Sequence, residues 1–460
     1  MKRSHFSKRH LMLSTALLLG ACGTASGTPE QTPVVTPESA AAESLQLWPE
    51  VKSDIVDEAM EARIDEILSK MTLEQKVGQV IQADNGSVTP EDVRKYRLGS
   101  VLSGGNSAPN GKPYASVEEW VEATDAYFRA STDPEGVEVA IPILWGIDAV
   151  HGHNNVIGGT LFPHNIGLGA MRNPDLMEDI AAVTAIELRV TGHDWTFAPT
   201  VAVPRDDRWG RTYEGFGEDP EIVASYSPRI VKGLQGEVGS PDFLGDDHVI
   251  STAKHFLADG GTKDGIDQGD TVLEESELVR LHAAGYPPAI EAGALSIMAS
   301  FSSWNGEKIT GDKYLLTDVL KDRMGFDGFI VGDWNAHGQV DGCTNEDCPE
   351  ALNAGLDMYM APDSWRGLYE STLEHVKSGE IPMERLDDAV RRILRAKLHF
   401  GIFEEGPPAS RALAGKTELL GTPKHRAVAR QAVRESLVLL KNDGVLPIRP
   451  EARILVTGDG

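Results

Sequence analysis

The chain has 460 residues, with 70 acidic against 43 basic side chains and a formal charge of −27. Such a surface repels phosphate backbones and anionic lipid, which argues against nucleic acid as a partner and fits a neutral substrate. The length exceeds one ordinary core, and 41% apolar residues, 25% charged residues, 47 Gly and 26 Pro describe a loop-rich globular α/β protein rather than a helical bundle.

Residues 1–21 read as a signal peptide. Lys2, Arg3, Lys8 and Arg9 precede the apolar run LMLSTALLLG, which is too short to span a bilayer. Leu19-Gly20-Ala21-Cys22 resembles a bacterial lipobox, which implies cleavage before Cys22 and acylation of that cysteine. Gly23 follows, not Asp, so the expected destination is the outer membrane, facing the periplasm or the cell exterior. The only membrane contact expected is this N-terminal lipid anchor. Residues 22–45 are rich in Thr, Pro, Ser and Ala and read as a flexible tether.

Residues 46–400 read as one (β/α) domain. Helical spacing runs over 55–70 through Val56, Met60, Ile64 and Leu68, and Thr72-Leu73-Glu74-Gln75 forms a capping box for the next helix. Six apolar runs then alternate with helical patterns: IPILWGID (141–148), TFAPTVAVPRD (196–206), HVISTAKHF (248–256), LSIMASFSSWNG (295–306), GFIVGDWN (328–335) and LDMYMAPD (356–363). The helices include 173–192 and 219–236. Near-continuous apolar strands separated by helices predict a parallel sheet covered on both faces, and this many units predict a TIM-like (β/α) barrel. No Gly-rich phosphate fingerprint follows the first strands, which weakens a nucleotide-binding reading. Residues 401–424 read as a linker. Residues 425–460 read as the start of a second, truncated α/β sandwich domain, with a helix over 425–443 and a first strand in ARILVTGDG.

In such a barrel, functional groups sit at the C-terminal ends of strands. Asp148 with His151, Arg211, Lys254 with His255, and Asp333 with Trp334 all fall at or near such ends. Two carboxylates, cationic or imidazole groups and an indole suit a small neutral polyol, whose hydroxyls need dense hydrogen bonding and whose ring needs an aromatic face. A carboxylate among cations stays ionised and can serve as a nucleophile. A strand-end Asp can equally cap the following helix, and Arg211 lies in a charged loop that could be purely structural. His151-Gly152-His153 lacks the helical spacing of metalloprotease ligands. Cys343 and Cys348 are expected to form a short disulfide in an exported chain, since no second ligand pair completes a zinc site.

Taken together, WGIDAVHG, RWGRTYEGFGEDP, KHFLADGGTKDGID, SFSSWNG, GFIVGDWN and VRESLVLLKNDGVLPI resemble the glycoside hydrolase family 3 β-glucosidases and exo-1,3/1,4-β-glucanases, over roughly residues 60–460. The resemblance implies a retaining enzyme that removes glucose from non-reducing ends of β-glucans or oligosaccharides, without cofactor or metal. It implies Asp333 as nucleophile, Asp148, Arg211, Lys254 and His255 as hydroxyl-binding residues, and Trp334 as an aromatic wall. Two departures matter. Phe301 stands where members often carry Tyr near the nucleophile. The acid/base Glu of two-domain members comes from the second domain, expected here to be missing. Alternatives are a β-N-acetylglucosaminidase of the same family, against which the His-free KHFLADGGTKDGIDQGD loop argues, and a non-catalytic sugar-binding lipoprotein.

Overall fold

The computed structural model describes residues 44–105 and 107–458. The signal peptide, Cys22 and nearly all of the expected tether lie outside them. The strands in chain order are β1 (Ile81–Asp84), β2 (Ser100–Ser103), β3 (Leu144–Ile147), β4 (Trp195–Thr196), β5 (Thr252–Phe256), β6 (Asp270–Thr271), β7 (Ser296–Ala299), β8 (Ser303–Trp304), β9 (Glu307–Lys308), β10 (Phe329–Val331) and β11 (Tyr359–Met360). One sheet runs β11-β1-β2-β3-β4 and another β10-β7-β5, all parallel. Parallel bridges Trp195–Ile250 and Thr200–Lys254 close the gap between β4 and β5, and Val331–Met358 closes that between β10 and β11. Among the described residues, eight parallel strands therefore complete a barrel. Strands β6, β8 and β9 form a small separate sheet.

Helices α1 (Glu58–Lys70) and α2 (Leu73–Gln79) precede β1. The crossovers carry α3 (Pro90–Tyr96), α4 (Val117–Ser131), α5 (Asn165–Met171), α6 (Pro174–Val190), α7 (Pro220–Gln235), α8 (Glu275–His282), α9 (Tyr286–Glu291), a π-helical segment (Tyr314–Arg323) and α10 (Pro349–Ala354). Then come α11 (Trp365–Ser378), α12 (Met383–His399) and α13 (Pro423–Ser436). None of the described helices is long and apolar enough to cross a membrane.

Local chemistry explains most boundaries. Thr72 and Gln75 form the reciprocal capping box of α2. Asp57 caps α1 by accepting from the Met60 amide at 2.9 Å, so Val56 stays outside that helix and is exposed. Asn173 and Asp219 cap α6 and α7, each followed by Pro at the first helical position.

All six predicted runs hold a barrel strand, but the sequence pattern missed β1 and β2. Both carry a polar residue inside the barrel wall, and the two pair with each other: Gln82 Nε2 donates to Ser100 Oγ at 2.8 Å. A buried polar pair bonded to each other fits the core but interrupts the apolar pattern. Residues 197–203, read as strand, are buried, and although β4 ends at Thr196 they keep backbone bonds to β5 as far as Val201.

The segment read as a linker is packed down. Arg411 is buried and paired with Asp194, and Arg189 holds Glu405 at 2.8 Å. The predicted helix 425–443 stops at Ser436, and residues 452–458 form no strand. Leu437, Val438, Leu439 and Leu440 are exposed, so nothing buries an apolar face that would sustain a longer helix. A lone strand at 452–458 likewise finds no ladder partner among the described residues.

Candidate active site

The eight strand ends open into a cavity of about 470 Å³, lined by Asp148, Arg211, Lys254, His255, Asp333 and Trp334. The barrel thus gathers six of the seven residues placed at strand ends from the sequence, His151 excepted. Asp148 directly follows β3, Lys254 and His255 belong to β5, and Asp333 follows β10 after Gly332. Residues at the barrel mouth cannot be covered by the outer helices, which is why polar side chains collect there.

Lys254 Nζ donates to Asp148 Oδ1 at 2.7 Å; the lysine is buried and the carboxylate half-exposed. The same ammonium lies 5.9 Å above the centre of the Phe197 ring. Arg211 forms a fork with Glu214, with Nε and Nη2 at 2.8 and 2.9 Å from its two oxygens. Burial opposes both charges, but the hydrogen bonds and mutual attraction prevail. They raise Arg211 further above its ordinary range and hold the Glu214 carboxyl below its own. Arg211 Nη2 also sits 3.2 Å from His255 Nε2.

His255 is buried, and its Nδ1 is 2.7 Å from Asp259 Oδ2. Burial would raise the Asp259 carboxyl, yet the His255 hydrogen bond and the nearby positive charge of Arg211 bring it below the usual range. Asp333 Oδ2 lies 3.7 Å from His255 Nε2, beyond hydrogen-bond length. Its Oδ1 accepts from the Trp334 amide at 2.7 Å. Phe301 also lines the cavity and offers no hydroxyl there.

Trp334 is 41% exposed and lies against Gly104, where any side chain would run into the indole. Asp84 holds that loop: its carboxylate accepts from Gly86 N at 2.8 Å, Ser107 Oγ at 2.7 Å and Gly104 N at 3.1 Å. Neither Asp84 nor Gly104 was marked by the sequence, because their roles depend on a strand pairing the sequence did not reveal. Asp259 was missed too, although it stands four residues after His255. Glu214 was visible only as part of a charged loop.

Other candidates fall elsewhere. His151 Nδ1 lies 3.2 Å from Phe162 O, and its ring packs tilted against His164 at 4.1 Å. His153 is fully buried, with Nε2 2.8 Å from Thr191 Oγ1. Cys343 and Cys348 are joined, with Sγ atoms 2.15 Å apart. They are the sulfurs of the cluster Cys343, Cys348 and Glu350, whose ligand atoms lie close enough together for a metal, but sulfurs bonded to each other are not thiolate ligands.

The profile of the Glycosyl hydrolase family 3 N terminal domain matches residues 72–396. A periplasmic beta-glucosidase of Salmonella typhimurium is 31% identical over 88% of this chain and 51% of its own length. A lysosomal beta glucosidase of Dictyostelium discoideum is 31% identical over 87% and 51% respectively. The crystal structure of an exo-1,3/1,4-beta-glucanase from a Pseudoalteromonas species superposes with a TM-score of 0.85 at 51% identity, covering 87% of this chain and 50% of that one. The chain spans about half the length of these curated relatives. With a profile over most of its length and relatives above 30% identity, the chain belongs to glycosyl hydrolase family 3.

Proposed function

We propose that the protein is an exo-acting, retaining β-glucosidase or β-glucanase that releases glucose from non-reducing ends of β-glucans or cello- and laminari-oligosaccharides. The carrying observation is the placement of Asp333. Its Oδ2 faces the cavity edge near Arg211 and His255, while Oδ1 is tied to the Trp334 amide. A carboxylate in that place is suited to attack the anomeric carbon and form a glycosyl-enzyme. Asp148, Lys254, Arg211 and His255 would grip the ring hydroxyls, and Trp334 would form the wall beside the departing group. The names of the Salmonella and Pseudoalteromonas relatives support this substrate class.

A retaining hydrolase also needs a proton donor to the leaving oxygen. Of the described carboxyl groups lining the cavity besides Asp333, Asp148 is paired with Lys254 and Glu214 is held ionised by Arg211. Neither is poised as an acid. We infer that the acid/base comes from outside the barrel, from a second domain that completes the site. Residues 401–424 then connect the two, and 425–458 begin the second. Turnover of natural glucans by these 460 residues alone would be feeble, whereas a substrate with a good leaving group would still glycosylate Asp333.

Export to the periplasm follows from the leader-like start and from the periplasmic relative, and a lipid on Cys22 would tether the protein at the outer membrane. The test of function is trapping. The chain is incubated with a 2-fluoro-glucoside carrying a dinitrophenolate leaving group, and the modified peptide is mapped by mass. An adduct on Asp333 supports the assignment. An adduct only on a C-terminally extended chain would mean the second domain also shapes this subsite. No adduct on either would refute it, and glucose binding without labelling would then favour a sugar-binding lipoprotein.

A further inference from the structure

We propose that Asp259 is a positioning residue that fixes the tautomer of His255 and thereby keeps one oxygen of Asp333 free to attack. The inference rests on the reading of Asp333 as nucleophile. It starts from donor and acceptor counts. Arg211 has only donors, and its Nη2 lies 3.2 Å from His255 Nε2, so Nε2 accepts. With Nε2 accepting, the imidazole carries its proton on Nδ1 and donates it to Asp259 Oδ2 at 2.7 Å.

The consequence falls on Asp333. Its Oδ1 already accepts from the Trp334 amide, and Oδ2 is 3.7 Å from Nε2. With Nε2 unprotonated, His255 offers that oxygen no hydrogen bond. With the other tautomer, an Nε2 proton would point toward Arg211 and Asp333 Oδ2. It would repel the guanidinium and draw electron density from the attacking oxygen. Asp259 selects the first arrangement.

The loop carrying Asp259 is held in place. Asp259 Oδ1 accepts from the Gly260 amide at 3.1 Å, Gly260 O accepts from Arg205 N at 2.8 Å, and Thr271 Oγ1 donates to Ala258 O at 2.9 Å. Ala258 adopts the left-handed conformation, with φ 65°, which turns the chain back under His255. The His282 ring lies against Gly261 and closes the far side. Asp259 itself does not line the site's cavity; it acts through the imidazole.

The Gly260 contact makes Asp259→Asn a clean switch. The amide oxygen keeps the Gly260 bond, so the NH2 must face Nδ1 and donate to it, which moves the histidine proton to Nε2. The test uses the full chain labelled with ¹⁵N-histidine. His255 is assigned by difference against His255→Gln, and NMR reads its tautomer near neutral pH. Native His255 is expected as Nδ1–H, and D259N as Nε2–H. The saturating rate of Asp333 labelling by the fluoro-glucoside should fall at least roughly tenfold in D259N. A native His255 protonated on Nε2, or on both nitrogens, overturns the proposal without any variant. A folded D259N with unchanged tautomer and labelling rate overturns it as well. Should native Asp333 not label at all, the functional reading fails, while the native tautomer still decides the Asp259–His255 arrangement.

Discussion

Lys254 and Asp148 meet at the barrel mouth at 2.7 Å, one buried and the other half in solvent. Their strands, β5 and β3, flank β4, so the pair bridges one intervening strand at the edge of the cavity. The asymmetry of burial makes the two partners unequal. A buried ammonium that loses its counter-ion has no water to replace it, whereas a half-exposed carboxylate does.

Replacing Asp148 by Ala should therefore destabilise the fold more than replacing Lys254 by Met. The expected losses are about 3 kcal/mol for the first and about 1 kcal/mol or less for the second. Urea denaturation of both variants checks the order. Each should also weaken glucose binding about tenfold or more, since each removes a charged hydrogen-bonding partner for a hydroxyl. Calorimetric titration with glucose reads that loss.

Gly104→Ala places a methyl group against the indole of Trp334, with Trp334 Cε3 at 3.0 Å and Leu102 Cδ1 at 2.9 Å. The expected result is a displaced Trp334, because the β2 backbone is held by its neighbours and the exposed ring is freer to move. Affinity for aryl glucosides should fall while affinity for glucose changes little. Inhibition constants for the two ligands, compared in wild type and variant, decide the matter.

Acidification should destabilise the protein through its buried histidines. Burial pushes His153 down to about 3 from an ordinary 6.5, and His193 well below its own ordinary value. Between about pH 6.5 and 3 the unfolded chain binds protons that the folded chain refuses, so stability falls as pH drops. Each such group contributes a slope of about 1.4 kcal/mol per pH unit. His153→Gln should flatten the slope between about pH 6 and 5 by part of one proton. Denaturant midpoints across that range measure it; an unchanged slope would contradict the assignment.

Glu187 is fully buried and accepts from Thr160 N at 2.6 Å, Thr160 Oγ1 at 2.8 Å and Gly421 N at 2.9 Å, with His425 Nδ1 at 2.8 Å. It ties the start of α13 to α6 and to the loop before α5. Glu187→Ala leaves these partners unpaired, at a cost of about 3 kcal/mol or more. Hydrogen exchange over residues 421–436 should accelerate, while β5 and β10 keep their protection.

Four of the residues that touch the cavity were legible in the sequence for one reason. In a parallel barrel, a charged or imidazole side chain at the end of an apolar run emerges at the mouth, so Asp148, Lys254, His255 and Asp333 betrayed their location by position. The strands β1 and β2 were not legible, because Gln82 donates to Ser100 across the sheet, and a polar pair separated by 18 residues has no local signature. The extent of α13 was misread for a related reason. The helical period continues past Ser436, but helix formation there depends on burial, which the period does not report.

By itself the sequence determined the alternation of strands and helices, and with it the barrel and the set of side chains at its mouth, because periodicity and strand ends are local properties. The tertiary structure decided which of those groups are paired and which are free. Glu214 is taken by Arg211, Asp148 by Lys254 and Asp259 by His255, while Asp333 Oδ2 is left open among the described residues. The Arg211–Glu214 and His255–Asp259 pairs are local, but the Asp148–Lys254 pair and the approach of Asp333 to His255 join segments far apart in sequence, and only closure of the barrel sets those distances.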